Sequence, residues 1–339
     1  MFTSGKGGIL FMPTPVVSIL TSCYNAAEFL PEAIESILGQ TFKDFEFILI
    51  DDGSTDNTLN IISGYAAKDD RIILIEKKNT GLTDSLNVGI RKARGKLIAR
   101  MDADDISFPD RLEKQITYLQ KQKDVILLGT GCIEIDRIGR NIKQHRYSTG
   151  HKSLIRCFEK GGSPFPHSSV IYKTETVRQI DGYRDRLNGA EDFDLWLRMS
   201  LIGKIRCLSE PLIRLRKHAV SITARDEKSV ILSYVVRLSH YLRKHGYPDP
   251  VEQDEKAYQT FLSWLEKRLI EEHVLQIRQF CLNLRKEWYC RDINILLRSA
   301  QLIMRLISSP YKFKFLHQKI LGSALAARLT NEWIRINTL

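Results

Sequence analysis

Between residues 16 and 136, short runs of apolar residues alternate with longer stretches in which apolar positions recur at helical spacing. The runs have the length and the Val, Ile and Phe content of buried strands, whereas the amphipathic stretches predict helices. This alternation is typical of strand–helix–strand units with a mostly parallel sheet, an α/β fold. The predicted strands are VVSIL (16–20), FEFILI (45–50), RIILIE (71–76), KLIARM (96–101) and VILLG (125–129).

The pattern changes twice further along the chain. From about residue 140 to 213 it loosens, with a predicted short strand VIYK and a predicted helix EDFDLWLRMSLIG. Beyond about residue 222 only helical periods remain. We therefore predict a disordered leader (1–13), in which Met12 is an alternative start, an α/β domain (14–218) and a basic α-helical C-terminal region (219–339).

The charge of the chain is unevenly distributed. The net charge is +11, and residues 214–339 contain 22 basic and 12 acidic residues, which is +10 of that total. The two parts of the chain are therefore expected to face different electrostatic surroundings.

Two classes of protein are disfavoured. No apolar stretch approaches the roughly 20 residues that span a bilayer, so the sequence does not predict an integral membrane protein. The six cysteines are scattered without a Cys-x-x-Cys pair, which favours a reducing, cytosolic compartment over a disulfide framework or a zinc site.

Polar motifs fall where the predicted strands end. TSCYN follows the first strand, DDGSTD the second and DADD the fourth. Doubly wound sheets bind ligands in the crevice beyond the carboxyl ends of their strands. These motifs are therefore the candidates for a binding site.

The carboxylates Asp102, Asp104 and Asp105 admit three interpretations. Aspartate is common in turns and helix caps, so a structural turn is the simplest. A calcium loop would use Asp102, Asp104 and Glu113, but Ser107 stands where the sharp turn of such a loop needs glycine. The third interpretation is a hard-cation site, because like charges this close repel unless an ion such as Mg²⁺ or Mn²⁺ neutralises them.

Five separated motifs together resemble those of family-2 glycosyltransferases with the GT-A fold. They agree in order and spacing, and they are VSILTSCYN, SILGQT, IDDGSTD, LNVGIRKARGKLIARMDADD and GAEDFDLWLR. The resemblance covers about residues 15–218 and says nothing about residues 222–339. It implies a Rossmann-like, mostly parallel sheet and makes residues 14–218 a predicted catalytic domain.

The resemblance also implies roles for residues at the strand ends. Ser22, Tyr24 and Asp52 would line the pocket for the nucleotide base, with Asp52 accepting the imide proton of uracil. Asp104 would be the direct metal ligand, and Asp102 would contact the ribose or a bound water as the second residue of the metal site. Weaker candidates, for phosphate binding or packing, are Asn79, Arg94 and Arg100.

The segment GAEDFDLWLR carries the predicted general base. A sugar hydroxyl is a poor nucleophile near neutral pH, so a carboxylate must accept its proton during attack. The resemblance makes Asp192 this base, with Glu191 as the alternative. The simpler interpretation is that both open a helix, where acidic residues favour the positive end of the dipole. Asp194 is expected to face solvent, and Trp196 to lie in the core.

Two histidines are considered for the same site. His167 lies in PFPHSS and His218 in LIRLRKHAVS. A lone histidine is more often a structural residue than a ligand. The resemblance leaves His218 as a candidate contact to the pyrophosphate or the metal.

The implied reaction is transfer of a sugar, with inversion, from a nucleotide-diphosphate sugar such as a UDP-sugar to a saccharide or lipid-linked saccharide in cell-surface polysaccharide synthesis. Mn²⁺ or Mg²⁺ would offset the charge that develops on the departing diphosphate. Two alternatives stay open. A sugar-nucleotide nucleotidyltransferase normally has a Gly-rich basic loop, which TSCYNAAEFL lacks. The other is a non-catalytic, membrane-peripheral scaffold with a transferase fold.

The C-terminal region carries an amphipathic pattern with a basic stripe. In residues 288–307 apolar positions alternate spacings of four and three, and basic residues recur every seven positions on the opposite face, namely Arg291, Arg298, Arg305, Lys312 and Lys319. The pattern predicts docking on the catalytic domain, docking in a homodimer, or contact of the stripe with anionic membrane. No nucleic acid partner is expected. The expected location is the cytoplasm, and the inner face of the cell membrane is a more specific possibility within it.

Overall fold

The computed structural model describes residues 14–217, 227–272 and 323–337. They form a mixed α/β fold in which the strands belong to one sheet. The strands are β1 (Val17–Cys23), β2 (Phe45–Asp52), β3 (Ile72–Lys77), β4 (Leu97–Arg100), β5 (Ile106–Ser107), β6 (Val125–Ile135), β7 (Asn141–His145), β8 (Ile171–Lys173) and β9 (Lys204–Arg216). The helices are α1 (Leu30–Leu38), α2 (Thr58–Ala66), α3 (Leu82–Lys92), α4 (Arg111–Lys121), α5 (His151–Glu159), α6 (Thr174–Gln179), α7 (Glu191–Ser200), α8 (Glu227–Lys244), α9 (Glu255–Glu271) and α10 (Ser323–Asn337).

The sheet is mostly parallel where the polar motifs lie. Its strand order is β3-β2-β1-β4-β8-β6-β9-β5, and β7 pairs with β6. Strands β1 to β4 are parallel to their neighbours within this group, whereas β8 is antiparallel to both β4 and β6. Two antiparallel pairings in succession restore the direction, so β6 ends at the same edge of the sheet as β1 to β4.

Apolar side chains cover both faces of the sheet. All eight residues of β2 are buried, which explains why Glu46 is the only charged residue before its last two positions, because a central parallel strand is covered on both sides. Successive residues of β2 point to opposite faces, so that Leu49 belongs to the apolar cluster that includes residues of α1 and α4, and Ile50 to the cluster that includes residues of α3 and α7. The amphipathic stretches between the strands thus form the helices that cover the two faces of the sheet.

The described C-terminal helices extend one of these two cores. Val235 of α8, Phe261 of α9 and Leu329 of α10 are buried in the same apolar cluster as Trp196 of α7. The ring of Trp333 in α10 packs edge-on against Phe261, with 5.0 Å between the ring centroids. Packing is thus continuous from the sheet to α10. None of the helices that the structure describes is long and apolar enough to cross a membrane.

The predicted α/β class and mostly parallel sheet are confirmed, and each of the five predicted strands overlaps an observed one. The short strand at VIYK and the helix at EDFDLWLRMSLIG are also present, as β8 and α7. The sequence analysis missed β5, β7 and β9. Strand β7 is exposed along most of its length, so it lacks the apolar alternation that reveals a strand. The predictions for residues 1–13, His218 and the stripe in residues 288–319 lie outside the described residues.

Candidate active site

The ends of three parallel strands bring acidic side chains together. The register pairs Cys23 at the end of β1 with Asp51 of β2, and Asp52 of β2 with Lys77 of β3. Asp102 follows β4, two residues beyond the end of that strand. Burial raises the pKa of the Cys23 thiol, and the nearby carboxylates of Asp51 and Asp102 raise it further. The predicted crevice is therefore lined by carboxylates from separate motifs.

Three carboxylates form a cluster at the end of β4. Ligand oxygens of Asp102, Asp104 and Asp105 all lie within 4.8 Å of one another. The guanidinium of Arg100 forms an ion pair with Asp102. The hydroxyl of Ser168, which is fully buried, contacts one oxygen of Asp102 and one of Asp105. Ser168 also accepts a hydrogen bond from Arg100 at 3.1 Å.

The two outer carboxylates of this cluster have pKa values that are shifted in opposite directions. Burial acts to raise the pKa of Asp102, but the charge and hydrogen bond of Arg100 outweigh it and hold the pKa below its ordinary value. Burial and the charges of Asp102 and Asp104 raise the pKa of Asp105 well above its ordinary value. The single proton of the Ser168 hydroxyl can serve only one of these carboxylates. A neutral Asp105 donating to Ser168, which in turn donates to the Asp102 carboxylate, satisfies all three groups.

Arg216 ties the cluster to β9. Its backbone N–H donates to Asp105 at 2.8 Å, and its Nε donates to the backbone carbonyl of Asp104 at 2.9 Å. Its guanidinium also pairs with Glu32 at the start of α1. The aspartate loop is thus held between β4, β9 and α1.

This cluster fits a hard divalent cation and not a calcium loop. All its donors are carboxylate oxygens at short separation, which is the donor set that Mg²⁺ and Mn²⁺ prefer. Asp105 is 1% exposed and both its oxygens are engaged, by Ser168 and by Arg216, whereas Asp102 and Asp104 are partly exposed and are therefore the better ligand candidates. The calcium-loop interpretation is wrong, because Ile106 and Ser107 form β5 and pair with β9 instead of continuing a binding loop.

Asp52 binds the loop that follows β3. Its carboxylate accepts hydrogen bonds from the backbone N–H of Thr80 at 3.0 Å and of Gly81 at 2.9 Å. The ammonium of Lys77 lies 2.6 Å from the same carboxylate. The sequence analysis missed Lys77, although a lysine at the end of a predicted strand, level with acidic strand ends, was a usable signal. Asp52 therefore shapes this part of the crevice, whatever ligand it meets.

The loops after β1 and β2 are joined by side chains. Asn25 accepts a hydrogen bond from the backbone N–H of Thr55 at 2.8 Å, and Ser54 accepts one from the backbone N–H of Asn25 at 3.0 Å. Tyr24, 52% exposed, stands on this rim. Ser22 is partly buried at the end of β1, and Asn79 is exposed after β3.

The segment GAEDFDLWLR forms the start of α7, as predicted. Glu191 is its first residue and is nearly buried, and its carboxylate accepts a hydrogen bond from the Gly189 N–H at 2.6 Å. Burial, and then the adjacent charge of Asp192, raise the pKa of Glu191 to about 7. The charge of Arg100, which forms an ion pair with Asp102, also acts to lower the pKa of Glu191, although less than burial raises it.

The prediction that Asp194 faces solvent is wrong. Asp194 is 2% exposed and forms ion pairs with Arg184 and with Arg198, the latter at 2.8 Å. Arg198 stands four residues after Asp194 in the same helix, and this spacing was the signal that the sequence offered. Asp194 is thus a structural carboxylate.

His167 and Arg94 have structural surroundings. His167 shares a hydrogen bond with the Tyr183 hydroxyl at 2.8 Å and packs edge-on against Trp196, with 5.6 Å between the ring centroids. Burial, and then the charge of Arg100, lower the pKa of His167 well below its ordinary value, so the ring is neutral. Arg94 pairs at 2.6 Å with Glu46, near the opposite edge of the sheet, and so the phosphate-binding alternative for Arg94 is wrong.

Comparison with known proteins places this geometry in a family. The model of glycosyl transferase family 2 matches residues 18–180. EpsE of Bacillus subtilis is 43% identical over 221 residues, which are 62% of this chain and 77% of EpsE. The O-antigen biosynthesis glycosyltransferase WbnJ of Escherichia coli is 33% identical over 234 residues, 68% of this chain and 88% of WbnJ. The chain belongs to glycosyl transferase family 2.

Solved structures confirm the fold of this glycosyltransferase. Residues 1–349 of TarS from S. aureus, in complex with UDP-GlcNAc, align with a TM-score of 0.58 over 94% of this chain and 91% of that chain, at 18% identity. The mannosyltransferase PcManGT from Pyrobaculum calidifontis, in complex with GDP-Man and Mn²⁺, aligns with a TM-score of 0.52 over 95% of this chain and 88% of that chain, at 17% identity. The predicted GT-A fold with C-terminal helices is confirmed.

The family assignment settles the class of enzyme. The predicted glycosyltransferase is confirmed, and it is favoured over the nucleotidyltransferase and the non-catalytic scaffold. The roles of individual residues rest on the geometry described above.

Proposed function

We propose that this glycosyltransferase transfers a sugar, with inversion, from a UDP-sugar to a hydroxyl of a saccharide or lipid-linked saccharide. One observation carries the proposal: three carboxylates cluster after β4, and Arg100, the ion-pair partner of Asp102, also acts electrostatically on Glu191 at the start of α7. A displacement that inverts the anomeric carbon needs its leaving group and its base on opposite sides of the sugar, and two separated carboxylate groups supply that arrangement.

The strand ends form the donor side of this site. Ser22, Tyr24 and Asp52 would line the base pocket, with the exposed ring of Tyr24 offering a face for stacking. Asn79 stands on the same loop as the Thr80 N–H that Asp52 binds, so it would border the pocket. His218 is proposed as a pyrophosphate contact on the strength of the sequence motif alone.

Asp104 and Asp102 would hold Mn²⁺ or Mg²⁺. When bound, such an ion supplies Lewis-acid stabilisation of the departing diphosphate. Arg100 and Ser168 fix the carboxylate of Asp102 from behind, so the chain holds its ligand oxygens in place before the donor arrives.

Asp192 would accept the proton of the acceptor hydroxyl. Its neighbour Glu191 is nearly buried, and its raised pKa leaves it largely protonated below about pH 7. The carboxylate of Glu191 accepts a hydrogen bond from the Gly189 N–H inside the fold, so the less buried Asp192 is better placed to meet an acceptor hydroxyl. A protonated Glu191 carries no charge, so Asp192 would have no second negative charge beside it in the chain.

The acceptor belongs to cell-surface polysaccharide synthesis in this proposal. Support comes from WbnJ, whose name assigns it to O-antigen biosynthesis, and from the basic C-terminal region. We extend the proposal to a catalytic domain at residues 14–218, a helical region at 219–339 and action at the cytoplasmic face of the membrane. The basic stripe would contact anionic lipid, and the C-terminal helices are candidates for a homodimer interface.

A donor screen tests the proposal. The purified protein is incubated with Mn²⁺ and a panel of nucleotide sugars, while nucleotide release and thermal shift are measured. We expect a UDP-sugar to give the largest response, and Asp104→Ala to lose the Mn²⁺-dependent shift with UDP. Asp110→Ala serves as the matched control, because Asp110 lies close by in sequence but pairs with Lys114 on the surface. Equal responses of Asp104→Ala and the wild type to Mn²⁺ and UDP would contradict the metal assignment.

A further inference from the structure

The loop that precedes the proposed base is bound by the C-terminal helices. This loop, residues 181–190, connects α6 to α7 and ends one residue before Glu191. Two of its arginines, Arg184 and Arg186, extend to residues 249–258, which include the turn between α8 and α9 and the first turn of α9. The loop therefore belongs to the catalytic fold by sequence but is held by a region beyond it.

Arg184 is the centre of a buried chain of ion pairs. Its guanidinium binds Asp194 in the first turn of α7 and lies 2.6 Å from Asp249 in the turn between α8 and α9. Arg243 of α8 binds the same oxygen of Asp249 at 2.5 Å, and Arg198 binds Asp194 from the other side. Both aspartates are at most 3% exposed. Charges buried this deeply tolerate little displacement, because each depends on its partner to offset the cost of desolvation.

Arg186 makes a second, more accessible connection. Its Nη1 donates to the backbone carbonyls of Val251 at 3.0 Å and Gln253 at 2.7 Å, and its Nη2 lies 2.9 Å from the carboxylate of Glu255. Its guanidinium also stands over the ring of Tyr258, 4.8 Å from the centroid. Because the planar guanidinium of Arg186 contacts two carbonyls, a carboxylate and an aromatic ring at once, these contacts also restrict the position of the Arg186 backbone.

The opposite side of the loop is held by the catalytic fold. The side chain of Asn87 in α3 forms a pair of hydrogen bonds, both 2.8 Å, with the backbone N–H and carbonyl of Tyr183. Gly182 has a positive φ of 64°, and a Cβ at this position would lie 2.4 Å from the side-chain oxygen of Asn87. The loop is thus fixed from both sides just ahead of α7.

We propose that Arg186, with Arg184, is a positioning residue through which α8 and α9 set the place of Asp192. This inference rests on the proposed role of Asp192 as the base. Arg186 touches neither the aspartate cluster nor the strand ends within the described residues, so its loss should displace the base without disturbing the nucleotide side. The helices beyond residue 227 are then part of the catalytic apparatus and not an appended module.

The test uses the full chain with Arg186→Ala, Arg186→Lys and a matched control, Arg268→Ala. Arg268 also joins elements of the helical region, pairing with Glu332 of α10, but it has no described contact with the loop. For Arg186→Ala we expect turnover of the best donor of the screen to fall about ten- to a hundredfold. A displacement of a catalytic group by about 1 Å lowers the rate by up to about this factor. The KM for the donor and the thermal shift with UDP and Mn²⁺ should stay at wild-type values.

Two further measurements distinguish a positioning role of Arg186 from a general loss of stability. Hydrogen exchange of backbone amides in residues 187–193 should accelerate in Arg186→Ala and not in Arg268→Ala, and Arg186→Lys should fall between wild type and alanine. Wild-type turnover of Arg186→Ala, or a loss matched by Arg268→Ala, overturns the inference. Should Arg186→Ala fail to fold, full turnover of a folded Arg186→Lys, with unchanged hydrogen exchange, overturns it equally. If Asp192→Asn itself keeps wild-type turnover, the proposed base is wrong, and this outcome is distinct from failure of the Arg186 variants.

Discussion

The proposed donor side and the proposed base side of this glycosyltransferase are built in different ways. On the donor side, Asp52 and Asp102 follow parallel strands, and the sheet register alone brings them to one edge. On the base side, Asp192 stands at the start of a helix whose approach loop is held by ion pairs and carbonyl contacts from residues 249–258. The donor side thus depends on the pairing of neighbouring strands, whereas the base side depends on packing against helices that lie far along the chain.

The largest effect should come from the base itself. In Asp192→Asn the amide cannot accept a proton, so we expect kcat to fall by about 10²- to 10⁴-fold, the usual contribution of a general base. Binding of UDP should remain, because the donor side is untouched. Initial rates and thermal shift with UDP measure the two quantities. Asp185→Asn, an exposed aspartate of the same loop, is the control, and a variant of Asp192 that kept more than a tenth of the wild-type rate would refute the assignment.

A smaller effect should come from Ser168, on the donor side. Ser168→Ala removes the buried hydroxyl that contacts Asp102, Asp105 and Arg100, which should cost about 1–3 kcal/mol of unfolding free energy. Displacement of Asp102 should also lower turnover about ten- to a hundredfold.

Ser169→Ala is the matched control for Ser168. Ser169 is equally buried, but its hydroxyl bonds to the backbone of Pro166 and Thr130, away from the aspartates. The Ser169→Ala variant should be less stable than the wild type but should keep the wild-type turnover. If both variants lost turnover alike, Ser168 would have no particular connection to the metal site.

A further effect concerns Glu191 and is seen in stability. Its pKa of about 7 in the folded protein exceeds its ordinary value of 4.5, so the folded state retains a proton that the unfolded state has released between these pH values. The unfolding free energy should therefore fall as pH rises from about 4.5 to about 7, by on the order of 2–3 kcal/mol relative to Glu191→Gln, which does not titrate.

Denaturant unfolding of the wild type and of Glu191→Gln across this pH range measures the difference. Groups distant from Glu191 contribute equally to both proteins, so the difference reports Glu191 together with its neighbour Asp192. Parallel stability curves would show that folding does not raise the pKa of Glu191, and would contradict this prediction.

The donor-side residues that the sequence analysis predicted rest on local signals. Apolar runs mark β1, β2 and β4, and the polar motif after each run must fall at the shared edge of a parallel sheet. Lys77 was missed although it directly follows a predicted strand, because its contact with Asp52 depends on how β2 and β3 pair. Ser168 could not be found, since its contact with Asp102 spans 66 residues and depends on the turn before β8.

The base side was predicted only in part. Motif spacing identified Glu191 and Asp192, but it misplaced Asp194, because helical periodicity cannot tell an exposed carboxylate from one that meets Arg184 in a buried cluster. The connection of Arg186 to Val251 and Gln253 crosses more than 60 residues and includes backbone carbonyls, which leave no mark on side-chain patterns.

By itself, the sequence determined the α/β class, the order of the strands along the chain and the carboxylate motifs at their ends. These features follow from periodicity and composition within a few residues, where the geometry of strands and helices leaves little freedom. Only the tertiary structure decided which carboxylates are charged, which are structural, and how the loop before α7 is held. Those properties depend on burial and on partners distant in sequence, and both arise only when the chain packs.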